Sequence, residues 1–227
     1  MNIPILLGSS QSNNSETSII ITETARELDR IGFKTQIFST AELNFAACAG
    51  CLECEPTDEC VVQDDIQMIQ KHFLEAPGII IASPVYLLGP PGRLKCLLDR
   101  FWHWTLRPRL FGKYAAVVVN STGYGTDEVA EYLTAILESW GMYVLSPPTL
   151  SPEIQDRTER RKKMLIDCRL LGRKFAEYIQ KKKKITISSH GKKLVSSIWK
   201  LIQEEKENYQ RSHTYWLENN IAKQFGL

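Results

Sequence analysis

Short continuous apolar runs alternate along this chain with stretches of helical periodicity. Ile3 to Leu7 is the first run, and it stops at Gly8 before a hydroxyl-rich polar stretch reaching Thr17. Ile19, Ile20, Ala25, Leu28 and Ile31 then recur near helical spacing until Gly32 supplies a stop. Phe33 to Phe38 alternates as a strand. Asp64-Asp65 stands where an N-cap and first-turn acids belong, ahead of Ile66, Ile69 and Phe73 on a short helix ended by Pro77-Gly78. Ile79 to Ala82 is apolar throughout, as in a parallel strand buried on both faces. Pro91 suits the first turn of the helix that carries Leu94, Leu97, Leu98 and Phe101. Lys113 to Val119 predicts a fourth strand, Asp127-Glu128 open a helix to Trp140, Met142 to Leu145 predicts a fifth strand, and Thr158 to about Lys181 a closing helix.

Five strands alternating with helices predict an α/β protein with a doubly wound five-stranded parallel sheet, its crossovers right-handed. Ligands of such sheets bind beyond the carboxyl ends of the strands, where strand order reverses. Three polar or glycine-containing loops leave those ends: Gly8 to Thr17, Ser83 to Gly89, and Asn120 to Gly125. They are expected to converge on one ligand.

With 227 residues and 43% apolar content the chain can bury a sizeable core. The N-terminus lacks the features of a signal peptide and no apolar run reaches membrane-spanning length, so the expectation is a cytoplasmic protein without an integral membrane segment. Charge is unevenly spread. Residues 1–150 carry 10 Lys+Arg against 17 Asp+Glu, and residues 151–227 carry 18 against 9. Opposite signs can draw the basic half onto an acidic surface, its own or a partner's, or reflect solvated helix faces.

Four of the six cysteines crowd into Cys48-Ala-Gly-Cys51-Leu-Glu-Cys54-Glu-Pro-Thr-Asp-Glu-Cys60, with spacing CxxCxxCxxxxxC. Cysteines at steps of three let one tight turn aim several sulfurs at a point. The spacing favours a cubane iron-sulfur cluster over zinc, whose ordinary sites use two separate knuckles; here both knuckles share Cys51. Zinc, a disulfide pair or inert thiols are the alternatives. Cys60 is the outlying ligand. Cys96 and Cys168 fall on predicted helices among apolar residues and read as buried, unreactive thiols.

The first loop offers Ser9, Ser10, Ser12, Ser15 and Thr17 hydroxyls beside the free N–H groups of a helix start, a setting for a phosphate monoester or for ordinary capping. It is neither a Walker loop nor a GxGxxG turn. Ser83-Pro84-Val85-Tyr86 ends in an aromatic suited either to a planar ring or to packing. His103 and Trp104 read as members of a packed aromatic cluster, with a substrate or subunit face as the alternative.

Taken together, Ile5-Leu6-Leu7-Gly8-Ser9-Ser10, the four-cysteine run followed by Asp64-Asp65, and Ser83-Pro84-Val85-Tyr86 continued by Leu94-Lys95 and Leu98-Asp99-Arg100 resemble the iron-sulfur flavoproteins of the NADPH-dependent FMN reductase branch of the flavodoxin-like superfamily. The resemblance covers about residues 1–180. It implies a flavodoxin-like FMN-binding domain over 1–180, with FMN contacts at Ser9, Gln11, Asn14, Ser15, Thr17, Pro84, Val85, Tyr86, Leu87, Ser121 and Gly123. It also implies a 4Fe-4S cluster on Cys48, Cys51, Cys54 and Cys60 that relays electrons to or from the flavin. Where the family's phosphate loop usually reads Gly-Ser-Pro-Arg, this chain has Ser10 and Gln11 and so lacks a cation. The implied activity is an NAD(P)H-dependent FMN reductase-like oxidoreductase. Alternatives are a cluster-free NAD(P)H-dependent FMN or quinone reductase and a flavodoxin-like binding protein with structural zinc. NAD(P)H or ferredoxin is the expected electron donor, and family analogy suggests a homo-oligomer, dimer or tetramer.

Residues 181–227 lie beyond the resemblance as a basic helical C-terminal extension. Leu194, Val195, Ile198, Trp199, Leu201 and Ile202 form one apolar stripe, and Tyr215, Trp216, Leu217, Ile221 and Phe225 suggest another. Docking on a partner subunit is the favoured role, an anionic membrane surface the alternative. Charge alone, without a motif, argues against assigning nucleic acid as a partner.

Overall fold

The computed structural model describes residues 1–9, 15–121, 123–145 and 156–227. Along the chain it forms β1 (Asn2–Leu7), α1 (Glu16–Ile31), β2 (Lys34–Ser39), α2 (Cys54–Thr57), α3 (Asp65–Glu75), β3 (Gly78–Pro84), α4 (Gly92–Asp99), α5 (Trp102–Leu106), β4 (Tyr114–Asn120), α6 (Thr126–Ser139), β5 (Tyr143–Leu145), α7 (Arg157–Lys181), α8 (Ser189–Glu204), α9 (Gln210–Glu218) and α10 (Ile221–Phe225). The strands pair in parallel in the order β2-β1-β3-β4-β5. The order reverses between β1 and β3, which sets the switch point there.

Alternation along the strands divides the core. Ile3, Ile5 and Leu7 of β1, Ile80 and Ala82 of β3, and Ala116 and Val118 of β4 face α1 and α7. Leu6, Ile79, Ile81, Ala115, Val117 and Val119 face α3, α4, α5 and α6. Both faces are apolar, which is why these strands read as unbroken hydrophobic runs. Helices α1 and α7 approach closely: Thr24 Oγ1 donates to the Cys168 carbonyl at 3.1 Å, and a Cβ on Gly172 would lie 3.2 Å from the Thr24 carbonyl. Cys168 is fully buried, and burial pushes its thiol up to about 12.

Two local features depart from the periodicity. The helix expected to carry Leu94, Leu97, Leu98 and Phe101 ends at Asp99, and a separate α5 follows; Phe101 turns into the core to stack on Trp140 at 5.2 Å while Arg100 points at the cysteine segment. The short α2 inside that segment has no sequence signature. Cys96, expected buried, is half-buried at the core's edge.

The extension does not await a partner to cover its stripe, as the sequence suggested; it folds back on its own body. Val195, Ile198, Ile202, Trp216, Ile221 and Phe225 bury against Leu106, with Trp102 and Phe111 alongside. Trp216 Nε1 donates to the Leu106 carbonyl at 2.6 Å, Tyr215 OH to the Pro108 carbonyl at 2.6 Å, and Trp199 stacks on Trp216 at 4.8 Å. Glu138, buried on α6, accepts from Ser188 N and Oγ at 2.8 and 2.6 Å and so anchors the start of α8. Among the described residues no helix is long and apolar enough to cross a membrane.

A methyl group at Gly78 would lie 2.8 Å from both Phe175 Cζ and the Tyr114 carbonyl, where α7 crosses the start of β3. Gly78→Ala should therefore cost about 1–3 kcal/mol through overpacking, read as a lower urea midpoint at unchanged slope.

Candidate functional site

The carboxyl edge of the sheet gathers four segments. Leu7 pairs with Ala82 and with Ser39, and Pro84 pairs with Asn120, so the chain after β1, β2, β3 and β4 emerges side by side. Gly8 N donates to the Ala82 carbonyl at 2.7 Å, and a Cβ on Gly8 would lie 2.5 Å from Leu94 Cδ2. A side chain there would force Leu94 to move and crowd the Ala82 carbonyl at 3.2 Å. Ser9 follows, buried. Ser15 caps α1 by accepting from Ser18 N at 3.0 Å, and Thr17 is buried in the first turn. Gln11 and Asn14 lie outside the described residues.

The second and third loops touch. Val85 N donates to the Asn120 carbonyl at 3.1 Å, and a Cβ on Gly125 would lie 2.8 Å from Val85 Cγ1 and 3.1 Å from Leu88 Cα. Ser121 Oγ accepts from Gly123 N and donates to the Tyr124 carbonyl, both at 3.0 Å, closing a tight turn. Tyr86 and Gly89 exchange backbone hydrogen bonds at 2.8 and 3.0 Å around Leu87 and Leu88. Both leucines are left-handed, with φ of 47° and 62°, and both side chains are exposed. That conformation costs roughly 1–2 kcal/mol per non-glycine residue. Strain of this kind concentrates at ligand sites. Ser9, Ser15, Thr17, Pro84, Val85, Tyr86, Leu87, Ser121 and Gly123 thus occupy adjoining loops at one edge, with small residues where backbone crowds.

The cysteine segment leaves the same edge, Thr40 N donating to the Leu7 carbonyl at 2.9 Å. It is bound mostly by side chains. Arg93 donates to the Thr40 and Leu43 carbonyls and lies 4.5 Å over the Phe45 ring. Arg100 closes the neck: Nη1 donates to the Ala46 carbonyl at 2.9 Å and Asp64 Oδ2 at 2.6 Å, and Nη2 to the Val62 carbonyl at 3.0 Å. Arg107 reaches the tip, donating to Asp58 and, at 2.6 Å, to the Cys54 carbonyl. Asp64 also caps α3 with a capping box to Gln67 and accepts from Ala46 N at 3.1 Å. Burial pushes its carboxyl up, but Arg100 and the Ala46 and Ile66 N–H groups outweigh burial and hold it below the usual carboxylate range. Removing one partner of such a buried pair costs about 3–5 kcal/mol. None of the three arginine roles was read from the sequence; their spacing of seven residues, 93, 100 and 107, was the available signal.

Within this frame Cys48 and Cys51 are exposed, Cys54 and Cys60 half-buried, and all four are free thiols. Gly50 N lies 3.5 Å from Cys48 Sγ in donor geometry. Leu52 and Asp58 adopt left-handed backbone, with φ of 59° and 65°. Burial raises the Cys54 thiol, Arg107 opposes the rise, and the Cys60 and Cys48 sulfurs add to it. Among the described residues no three His, Cys, Asp or Glu side chains converge into a ready metal site. Two observations fit the segment to an anionic sulfur-ligated centre: the all-thiol donor set, and the buried Arg100 guanidinium, whose charged form Asp64 and Cys60 favour against burial.

His103 sits beneath the segment, packed edge-on against Trp104 at 6.2 Å, as the aromatic-cluster reading expected, with Gln70 Nε2 3.4 Å from its Nε2. Burial, then Arg107, Arg109 and Arg100, lower its pKa to about 4 against the pull of Asp58. The folded state thus keeps His103 neutral while the unfolded chain takes up a proton near pH 6.5. Stability should fall as pH drops from about 6.5 toward 4, by on the order of 3 kcal/mol, and His103→Gln should flatten that slope in urea titrations across the window.

Comparison with known proteins gives consistent results. Residues 1–155 match the family described as NADPH-dependent FMN reductase. An iron-sulfur flavoprotein of Archaeoglobus fulgidus is 27% identical over 86% of this chain and 89% of its own length. Among solved structures, an FMN-dependent NADH-azoreductase of Bacillus anthracis superposes with TM-score 0.60 at 13% identity, over 78% of this chain and 100% of that one. An NAD(P)H:quinone oxidoreductase of Methanothermobacter marburgensis does so with TM-score 0.57 at 17% identity, over 76% and 98%. At these identities the structures speak for the fold alone.

Proposed function

The chain belongs to the NADPH-dependent FMN reductase family of flavin-dependent oxidoreductases, and on that premise we propose that it is an electron-transferring flavoprotein with FMN at the sheet's carboxyl edge and a 4Fe-4S cluster on Cys48, Cys51, Cys54 and Cys60. The observation that carries the cluster is the cysteine segment itself: four free thiols on a loop framed by the buried guanidinium groups of Arg100 and Arg107. The relatives named iron-sulfur flavoproteins support the same reading. Bound there, FMN supplies two-electron acceptance and single-electron release, and the cluster supplies one-electron relay.

The chain's own residues bind and orient. Ser9, Ser15 and Thr17, with Gln11 and Asn14, offer donors to the phosphate beside the first turn of α1. Pro84, Val85, Tyr86 and Leu87 border the ring on one side and Ser121 and Gly123 on the other, with the exposed Leu87–Leu88 turn shedding water from the rim. Arg93, Arg100 and Arg107 hold the cysteine segment against the same edge. NAD(P)H or ferredoxin is the proposed donor, with a homo-oligomer as the proposed assembly.

Protein purified without oxygen should show flavin bands together with broad cluster absorption, and iron and sulfide in equal amounts. Cys48→Ser, Cys51→Ser, Cys54→Ser and Cys60→Ser should each lose the broad absorption while the flavin bands stay. A colourless, zinc-loaded protein, or flavin bands alone in the wild type, would overturn the cluster.

Gly125, at φ 90°, lies where the two proposed ring-bordering loops meet, and a Cβ there would lie 2.8 Å from Val85 Cγ1 and 3.1 Å from Leu88 Cα. Gly125→Val should weaken FMN binding by about tenfold or more, measured by fluorescence titration, while far-ultraviolet circular dichroism stays native.

A further inference from the structure

Arg107 stands at a junction of three parts of the molecule. It follows α5, and its side chain is 1% exposed. Nε donates to Asp58 Oδ1, and Nη2 to the Cys54 carbonyl at 2.6 Å, both on or beside α2. Nη1 donates to Ser212 Oγ at 2.6 Å on α9, with Glu55 Oε1 at 3.5 Å. Glu55 accepts from Ser212 N at 2.9 Å, and Arg211 Nη2 and Nε reach the second Asp58 oxygen at 2.5 and 2.9 Å. Arg107, Glu55 and Ser212 are all buried.

We propose that Arg107 is a positioning residue through which the C-terminal extension holds the Cys54 arm of the cysteine segment, making α9 a working wall of that site. The functional consequence rests on the cluster reading above.

Helix α2 spans only Cys54–Thr57, a length at which a helix does not persist unaided. What fixes it is external: the Cys54 carbonyl is shared between Asp58 N at 3.1 Å and Arg107, and both oxygens of Asp58 are occupied, one by Arg107 and one by Arg211. The neck of the segment has its own closure at Arg100, so α9 governs the tip, where Cys54 lies. The family match ends at residue 155, so two of the latch residues, Arg211 and Ser212, come from chain beyond it. A lysine cannot stand in for Arg107, because three parts are gripped by a planar fork with donors in three directions.

The test uses the full-length protein purified without oxygen, in wild-type form and as Ser212→Ala, Arg107→Lys and Arg173→Ala. Hydrogen exchange is followed in segments 53–60 and 209–218, with iron per flavin and the cluster's visible circular dichroism. Ser212→Ala, the mildest change, removes one acceptor and should speed exchange in both segments together, by about tenfold, with a lower iron-to-flavin ratio and an altered visible spectrum. Arg107→Lys should do the same despite keeping the charge. Arg173→Ala, which breaks an ion pair to Glu27 on the α1–α7 side, should leave all readouts at wild-type values. Unchanged exchange in 53–60 for folded Ser212→Ala and Arg107→Lys proteins with normal flavin content would overturn the latch. A wild type without cluster absorption would overturn the cluster reading instead, and the coupling of exchange between the two segments would then decide the latch by itself.

Discussion

The guanidinium groups of Arg93, Arg100 and Arg107 supply hydrogen-bond donors that the backbone of segment 40–64 lacks. That segment carries the chemistry-bearing cysteines and little regular structure, so its carbonyls cannot be satisfied by a ladder or a long helix. Those of Thr40, Leu43, Ala46, Cys54 and Val62 are met by the three arginines. The arginines in turn are held by α4, α5 and their flanks, packed on the sheet through Leu94, Leu97 and Phe101 and against the C-terminal helices through Leu106. A rigid apolar layer thereby sets the position of an irregular loop through buried charge. The break between α4 and α5 belongs to this design, since it turns Phe101 inward while Arg100 faces the neck.

The sheet edge and the cysteine segment are continuous rather than separate sites. Ser39 lies beside Leu7 in register, and Thr40 bonds back to Leu7, so the segment starts next to the Gly8–Ser9 crossing. The loops after β3 and β4 meet at Val85, Leu88 and Gly125. Two consecutive left-handed leucines with exposed side chains are maintained there by the Tyr86–Gly89 hydrogen bonds. An apolar, strained rim next to buried hydroxyls suits a ligand with an anionic end and a flat aromatic end.

The opposite charges of the two halves meet within one chain. Arg169 pairs with Glu23 and Arg173 with Glu27 across α1 and α7, and Arg211 pairs with Asp58 across α9 and α2. The first two pairs are partly exposed and contribute little each. The third adjoins the buried Arg107 network, where geometry rather than attraction matters. The basic extension thus completes the body that the acidic half builds.

The sequence by itself determined the sheet and its parallel sense, because strands buried on both faces are apolar throughout, as Ile79 to Ala82 and Val117 to Val119 are, and helical patterns alternate with them along the chain. The crowding of Cys48, Cys51 and Cys54 was equally legible, since their spacing is local. Tertiary structure decided what lies between residues distant in sequence. Nothing local in Arg93, Arg100 and Arg107 distinguishes a clamp on a distant loop from a solvated helix face, and only the fold sets them against the cysteine segment, Arg100 and Arg107 buried and Arg93 exposed. The docking of α8 to α10 was equally undetermined, because an amphipathic stripe states that it must be covered and not by what; Leu106, Glu138 and Arg107 supplied the answer through contacts that no pattern along the chain encodes. The interval from Cys54 to Cys60, which looked like a detour to an outlying ligand, is drawn together by α2 and by Asp58, whose partners lie as far away as Arg211.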